Sequence, residues 1–167
     1  MLTLDAGKGK AMPPAVFRAA EIFDMAVHIE RQGIAFYSAC KEVIDSSALK
    51  ETFSYLIEQE YTHIDVFSHM KEDLREIRLP ESFAGEYDRH VAAFVQKKVF
   101  YTPEEAAETA RRLSSVRTAV DWAVEFEQKS IDFYSLIKSH VRSSESAAIE
   151  RIIQEEKRHI ERLNQLR

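Results

Sequence analysis

Residues 24–38 have the sequence DMAVHIERQGIAFYS, and residues 121–135 repeat much of it as DWAVEFEQKSIDFYS. Eight of these fifteen positions are identical at an offset of 97 residues, where chance would give about one. A second pair of segments, LIEQEYTHI at 56–64 and IIQEEKRHI at 152–160, aligns at an offset of 96. A repeat of this length indicates a duplicated helical hairpin rather than a short-period solenoid.

Apolar residues at spacings of three and four predict four long helices. We expect them from about residue 14 to 43, from an N-cap within 45–47 onward, from about 115 to 141, and from the RSSES segment at 142–146 to the C-terminus. The connection between the two hairpins should contain a short helix over 86–98. A second short helix should follow a capping box formed by Thr102, Pro103 and Glu105.

These helices predict an all-α fold, a four-helix bundle made of two duplicated helical hairpins. A long, partly helical crossover over residues 72–114 joins the hairpins. We expect one domain over residues 1–167, with residues 1–14 as a flexible N-terminal segment.

Composition limits the classes of function. The chain is 45% apolar and 31% charged, as is typical of a soluble globular domain, and its net charge of -5 gives no reason to expect nucleic-acid binding. No apolar run reaches the ~18 residues of a membrane span, and no signal peptide is evident at the start. Cys40 is the one cysteine, which excludes an intramolecular disulfide. We therefore expect a cytoplasmic protein without nucleic-acid or membrane partners.

Four glutamates and two histidines lie on the apolar stripes of the predicted long helices. They are Glu30, Glu60, His63, Glu127, Glu156 and His159. A lone buried carboxylate loses several kcal/mol of hydration, and four together repel one another. Four carboxylates balance two divalent cations, and two neutral imidazoles complete the ligand set. The inventory matches a dinuclear site with one Glu from each of two helices and Glu-x-x-His from each of the other two.

Each of these features has an ordinary explanation when it is taken alone. A single Glu-x-x-His on a helix is usually a solvated pair, and a Glu on an apolar stripe usually keeps its carboxylate in water. The two halves of the chain preserve all six residues together, and this joint recurrence favours a metal site.

The segments IERQGIAFY, EQEYTHI, FEQKSIDFY and EEKRHIERL resemble the rubrerythrin branch of the ferritin-like superfamily, over about residues 18–167. The resemblance implies a ferritin-like bundle with two iron ions, although manganese and zinc also suit such ligands. It implies that Glu30 and His63 are terminal ligands of one iron, and Glu127 and His159 of the other. It further implies that Glu60 and Glu156 bridge the two ions.

Tyr37 and Tyr134 follow Glu30 and Glu127 by seven residues each, two turns along the same helical face. Two roles remain open for these tyrosines. They can donate hydrogen bonds to ligand carboxylates, or they can serve only as core aromatics.

The resemblance implies a non-haem di-iron oxidoreductase that reduces H2O2 or O2, with a role in oxidative stress. Rubrerythrins proper carry a rubredoxin domain with iron bound by four cysteines. With one cysteine here, we expect a separate electron donor such as a rubredoxin-like protein. We also expect a homodimer. The alternatives are a metal-binding protein for storage, buffering or sensing without turnover, and a helical interaction module whose acidic interior is vestigial.

Overall fold

The computed structural model describes residues 19–74, 102–139 and 141–167, which form five helices and no strand. The helices are α1 (Ala19–Val43), α2 (Ser47–Leu74), α3 (Pro103–Arg111), α4 (Val116–Lys138) and α5 (Ser143–Asn164). The predicted flexible segment 1–14 and the predicted helix 86–98 lie outside the described residues. Within the ranges described, no helix combines the length and apolarity needed to cross a membrane.

Three helices begin at the start signals that the sequence predicts. The Ser46 hydroxyl accepts a hydrogen bond from the backbone N–H of Leu49 at 3.3 Å, ahead of α2. Thr102 and Glu105 form the predicted capping box of α3, with Pro103 in its first turn. At the start of α4, the Ser115 side chain accepts from a backbone N–H of the first turn. Each cap satisfies backbone donors that a helix N-terminus would otherwise leave unpaired.

The N-cap of α5 falls within the RSSES segment, as the sequence predicts. The N-cap residue is Arg142, and its side chain makes no capping hydrogen bond. Its guanidinium Nε instead donates to the Glu145 carboxylate at 2.7 Å. The three serines of the segment lie inside the helix. The positive end of the helix dipole stabilises the Glu145 carboxylate, which lies in the first turn.

The four long helices form a bundle in which each has two neighbours. Short connections join α1 to α2 and α4 to α5, which makes each pair an antiparallel hairpin. The hairpins meet where α1 packs beside α4 and α2 packs beside α5, and α3 covers part of α1. This is the ferritin-like bundle that the sequence predicted, and all four long helices line its interior.

Two apolar clusters divide the interior along the bundle axis. The first cluster takes residues from the N-terminal part of α1, the C-terminal parts of α2 and α4, and the N-terminal part of α5, among them Phe23, Phe67, Tyr134 and Ile149. The second takes residues from the opposite ends of the same helices, among them Tyr37, Phe53, Ala123 and Leu163. Buried polar residues separate the two clusters on every long helix. The fold therefore places one polar layer between two apolar ones.

The duplication extends to matched ion pairs at the surface. Asp24 of α1 pairs with Lys71 of α2, and Asp121 of α4 pairs with Arg167 at 2.7 Å. Asp121 follows Asp24 by 97 residues, and Arg167 follows Lys71 by 96. The two hairpins thus repeat each other in three dimensions as well as in sequence.

Gly33 of α1 lies close to the aromatic ring of Phe126 on α4. A Cβ atom built on Gly33 would lie 3.1 Å from the Phe126 ring, 3.5 Å from the Tyr37 ring and 3.8 Å from Cγ of Glu60. A glycine inside a helix costs about 1 kcal/mol relative to alanine. Here the missing side chain makes room for the aromatic rings that pack beside the polar layer.

We predict that Phe67→Ala lowers the free energy of unfolding by about 3–5 kcal/mol, because the ring is fully buried and packs against Phe23 and Tyr134 at centroid distances of 6.3 and 5.0 Å. Urea unfolding measured by circular dichroism would check this value. Tyr61→Ala is the control, since Tyr61 on the same helix is 56% exposed, and it should change the free energy by less than about 0.5 kcal/mol. Equal effects of the two substitutions would contradict the packing described.

Candidate metal centre

The described residues contain two groups of acidic and imidazole side chains, each compact enough to hold one ion. The first group is Glu30, Glu60, His63 and Glu156, and the second is Glu60, Glu127, Glu156 and His159. Within each group, one donor atom from every residue lies within 4.8 Å of the others. Glu60 and Glu156 belong to both groups. The fold therefore brings together all six residues predicted as metal ligands, with the two predicted bridging carboxylates in the shared position.

All six side chains are inaccessible to solvent. None of these residues is more than 1% exposed, although they are among the most polar side chains in the chain. They form the layer between the two apolar clusters, which exclude water from both ends of the site. In such surroundings, electrostatic interactions are much stronger than at a protein surface.

Both imidazole rings present Nδ1 to the carboxylates. His63 Nδ1 lies 3.1 Å from Glu60 Oε2 and 3.1 Å from Glu156 Oε1. His159 Nδ1 lies 2.8 Å from Glu156 Oε2 and 3.5 Å from Glu127 Oε1. The rings stack with centroids 5.8 Å apart. Two nitrogen donors thus point into the same space as the four carboxylates.

Several polar atoms at the centre lack hydrogen-bond partners among the described residues. This observation tests whether the six residues fit metal ions, because such ions would supply the missing partners. Among the residues that the structure describes, Glu60 Oε1, both carboxylate oxygens of Glu156 and Nδ1 of His159 are buried and have no hydrogen-bond partner. The carboxylate oxygens close to His159 Nδ1 do not lie at hydrogen-bonding angles, so these short contacts are electrostatic interactions only. A buried polar atom left unpaired costs about 1–3 kcal/mol. Oxygen and imidazole donors suit iron, manganese and zinc, and the six residues fit a pair of such ions.

The two shared carboxylates resist ionisation in the metal-free protein. Burial raises the pKa of Glu156 to about 7, and the neighbouring charge of Glu127 adds to the effect. Burial, together with the charges of Glu156 and Glu30, also raises the pKa of Glu60 well above its usual range. A carboxyl group buried beside other carboxylates favours its neutral form because no water solvates the charge.

The imidazoles compensate part of this charge. Burial disfavours an imidazolium at His159, but close contacts with the Glu127 and Glu156 carboxylates outweigh burial and raise its pKa to about 10. The same balance raises the pKa of His63 well above its usual range, through Glu156 and Glu30. Without metal, the two protonated rings supply the positive charge that the carboxylates require.

Tyr37 and Tyr134 connect the two halves of the bundle. The Tyr37 hydroxyl donates to Glu127 Oε1 at 2.6 Å, and the Tyr134 hydroxyl donates to Glu30 Oε1 at 2.5 Å. Both rings are also fully buried in the apolar clusters, so the two roles left open by the sequence hold together. Each tyrosine bonds the carboxylate of the other hairpin rather than the glutamate seven residues before it.

Sequence reasoning missed two residues that contact the histidines from outside. Glu155 Oε2 lies 3.0 Å from Nε2 of His63, and the Tyr55 ring lies edge-on to His159 with centroids 6.1 Å apart. A histidine ligand needs an acceptor for its outer ring nitrogen, and this requirement was a reason to look for Glu155. No comparable rule predicts Tyr55.

A four-helix bundle that encloses a layer of four glutamates and two histidines is the arrangement of the ferritin-like proteins. Comparison with protein families specifies it further: the family model described as rubrerythrin matches residues 21–167. The chain belongs to the rubrerythrin family, as the sequence segments predicted. A search of curated proteins found no match, and a search of solved structures found none either.

We predict that divalent metal stabilises the protein more at high pH than at low pH. Glu156 prefers its neutral form when folded, so the folded state loses stability as pH rises from about 4.5 to about 7. His159 contributes stability that is complete below pH 6.5 and is lost as pH rises towards about 10. Mn²⁺ would take over the role of these protons. Urea unfolding with and without Mn²⁺, from about pH 5 to about pH 8, should give a difference in unfolding free energy that widens with pH.

The pKa of Glu127 is lowered rather than raised. This shift does not affect the difference in unfolding free energy over the pH range tested. Burial acts to raise it, but the close contact and the charge of His159 outweigh burial and lower the pKa below its ordinary value of 4.5. Its contribution is therefore lost only as the solution becomes more acidic than the range tested. The double variant Glu60→Gln with Glu156→Gln should flatten the dependence. A stabilisation by Mn²⁺ that stays constant across the range would contradict the prediction.

We predict that Tyr37→Phe and Tyr134→Phe each destabilise the metal-free protein by about 1.5–3 kcal/mol, because each leaves a buried carboxylate without its donor while keeping the ring. Each should also weaken Mn²⁺ binding by about 10–100-fold. Urea unfolding and equilibrium dialysis would measure the two effects. Tyr61→Phe, at an exposed position, is the matched control. If all three variants behave alike, the tyrosines act only through packing.

Proposed function

We propose that this protein is a non-haem di-iron oxidoreductase that reduces H2O2 or O2 with electrons from a separate donor. One observation carries the proposal: the two donor groups share Glu60 and Glu156. Two separate metal sites would not need common carboxylates, whereas a pair of neighbouring ions does. Membership of the rubrerythrin family supports iron as the metal.

The chain's own residues divide the work of holding the ions. In this proposal, Glu30 and His63 hold one iron and Glu127 and His159 hold the other, while Glu60 and Glu156 are shared. When bound, a pair of ferrous ions supplies two electrons to one small oxidant. The protein fixes the donors in place and keeps bulk water out.

Tyr37 and Tyr134 hold protons beside the site. Burial, with the charge of Glu127, raises the pKa of Tyr37 well above its usual range, and burial with the charge of Glu30 does the same for Tyr134. Both hydroxyls therefore remain protonated donors at neutral pH. They keep the Glu127 and Glu30 carboxylates oriented towards the centre of the bundle.

Enclosure supports a small oxidant. The six donor residues are at most 1% exposed, so a bulky organic substrate could not reach them without opening the bundle, whereas O2 and H2O2 are little larger than water. The single cysteine, Cys40, is buried and cannot supply the four thiolates of a rubredoxin site. The proposal includes a separate electron donor, a homodimeric state and a cytoplasmic location.

The same enclosure supports the alternative proposal of a metal-binding protein without turnover. Ligands that are buried on all sides retain an ion well, which suits storage, buffering or sensing. The two proposals use the same six donors and differ in whether a bound Fe²⁺ ion reacts with an oxidant.

Anaerobic loading with Fe²⁺, followed by addition of H2O2 or O2, tests both proposals. We expect two irons per chain, which either oxidant converts to Fe³⁺ as measured by absorbance. Retained iron that neither oxidant changes would favour the alternative. Absence of bound iron would contradict both.

The double variant Glu60→Ala with His63→Ala should abolish iron uptake. Glu58→Ala with His69→Ala is the matched control, because it removes an exposed glutamate and an exposed histidine from the same helix. The control should load and oxidise iron as the unmodified protein does. Equal iron contents in the two double variants would show that the site lies elsewhere.

A further inference from the structure

The outer nitrogens of the two histidines have different surroundings. His63 Nε2 lies 3.0 Å from the Glu155 carboxylate, in hydrogen-bond geometry. His159 Nε2 is buried and has no hydrogen-bond partner among the described residues. The site is symmetric in its six inner donors, but the contacts behind the two rings are not.

The repeat identifies the residue responsible for this difference. Glu155 precedes Glu156 directly, and the position equivalent to Glu155, 96 residues earlier, is Gln59. The first hairpin therefore carries a neutral amide where the second carries a carboxylate. The Tyr55 ring also contacts His159, with the two rings nearly perpendicular and their centroids 6.1 Å apart.

Glu155 is itself held in position. Its side chain is 34% exposed, and Nη2 of Arg158 lies 3.5 Å from its Oε1 atom. The other oxygen, Oε2, faces His63. One carboxylate thus contacts a cation at the surface with one oxygen and a buried ring with the other, which restricts its orientation.

An acceptor behind a histidine ligand has two effects on metal binding. It holds the hydrogen on Nε2, so that the lone pair on Nδ1 points at the ion, and it fixes the plane of the ring. A carboxylate acceptor also makes the ring a stronger electron donor. His63 has this support, whereas His159 must adopt the same tautomer without it.

We infer that the two ion positions are inequivalent, and that Glu155 is a positioning residue that makes the His63 position the tighter one, filled first. This inference rests on the proposed dinuclear site and concerns the order and strength of loading. Loss of a comparable outer contact weakens metal binding by about 10–100-fold, and we expect the two positions to differ by a factor in that range.

Anaerobic calorimetry with Co²⁺ tests the inference, with the visible absorption of Co²⁺ as a second measurement. The unmodified protein should bind two ions in two resolved steps. Glu155→Gln should weaken the tighter step by about 10–100-fold and leave the other step unchanged. Gln59→Glu, which places a carboxylate at the position equivalent to Glu155 in the repeat, should tighten the weaker step. Glu161→Gln removes an exposed charge from the same helix and should change neither step.

Single-site backgrounds assign the effect to one ion. In His159→Ala, the remaining ion lies at His63, and adding Glu155→Gln should weaken it. In His63→Ala, the remaining ion lies at His159, and the same addition should have no effect. Circular dichroism would confirm that each variant is folded, and Gln59→Glu tests the inference by a gain of affinity that misfolding cannot mimic.

The outcomes separate this inference from the proposed function. Two ions that bind with equal affinity, or an equal effect of Glu155→Gln in both backgrounds, would overturn the inference and leave a dinuclear site intact. Binding of fewer than two Co²⁺ ions by the unmodified protein would overturn the dinuclear site itself.

Discussion

Four carboxylates share the interior of this bundle, and their mutual repulsion is the constraint on which the rest of the structure depends. Water cannot solvate them, because each is at most 1% exposed. Their charge must therefore be cancelled by protons or by cations. Three features meet this requirement: the two inward-facing imidazoles, the two tyrosine hydroxyls, and the shared position of Glu60 and Glu156. The apolar clusters at both ends of the polar layer hold its side chains in place.

This polar layer suits metal binding, but it lowers the stability of the metal-free fold. Well-packed apolar residues in place of buried charges often leave a protein equally stable or more stable, yet the layer here has buried oxygens that find no hydrogen-bond partner in the described part of the chain. Protonated His63 and His159 compensate part of the charge when metal is absent. Divalent ions in the same space would provide more positive charge at closer range. Sites of this kind are selected for what they bind rather than for stability.

The fold and the inner donors follow from the sequence because the repeat presents each feature twice. A glutamate or a histidine on one apolar stripe is ambiguous, whereas the same three donor positions in both hairpins, six residues in all, limit the arrangement. Contacts across the bundle were harder to predict. Helical spacing places Tyr37 on the same face as Glu30, but it does not reveal that its hydroxyl reaches Glu127. Glu155 lies between the face that points inward and the face that points to solvent, so periodicity alone assigns it no role. The RSSES segment indicated the start of α5, but helix-start patterns did not reveal that Arg142 is the N-cap residue and that its guanidinium pairs with Glu145.

The repeat also explains how a site with nearly twofold symmetry can lose that symmetry at one point. Two identical hairpins in a symmetric dimer would carry the same residue behind both histidines, and no mutation could alter one without the other. Joining the hairpins in one chain removes that restriction, so that glutamate stands at position 155 and glutamine at position 59. The six donor residues keep the symmetry that charge balance requires, while the residues behind the two histidines can differ. Covalent linkage of the two halves therefore allows the surroundings of His63 and His159 to differ while the six donor residues keep their symmetry.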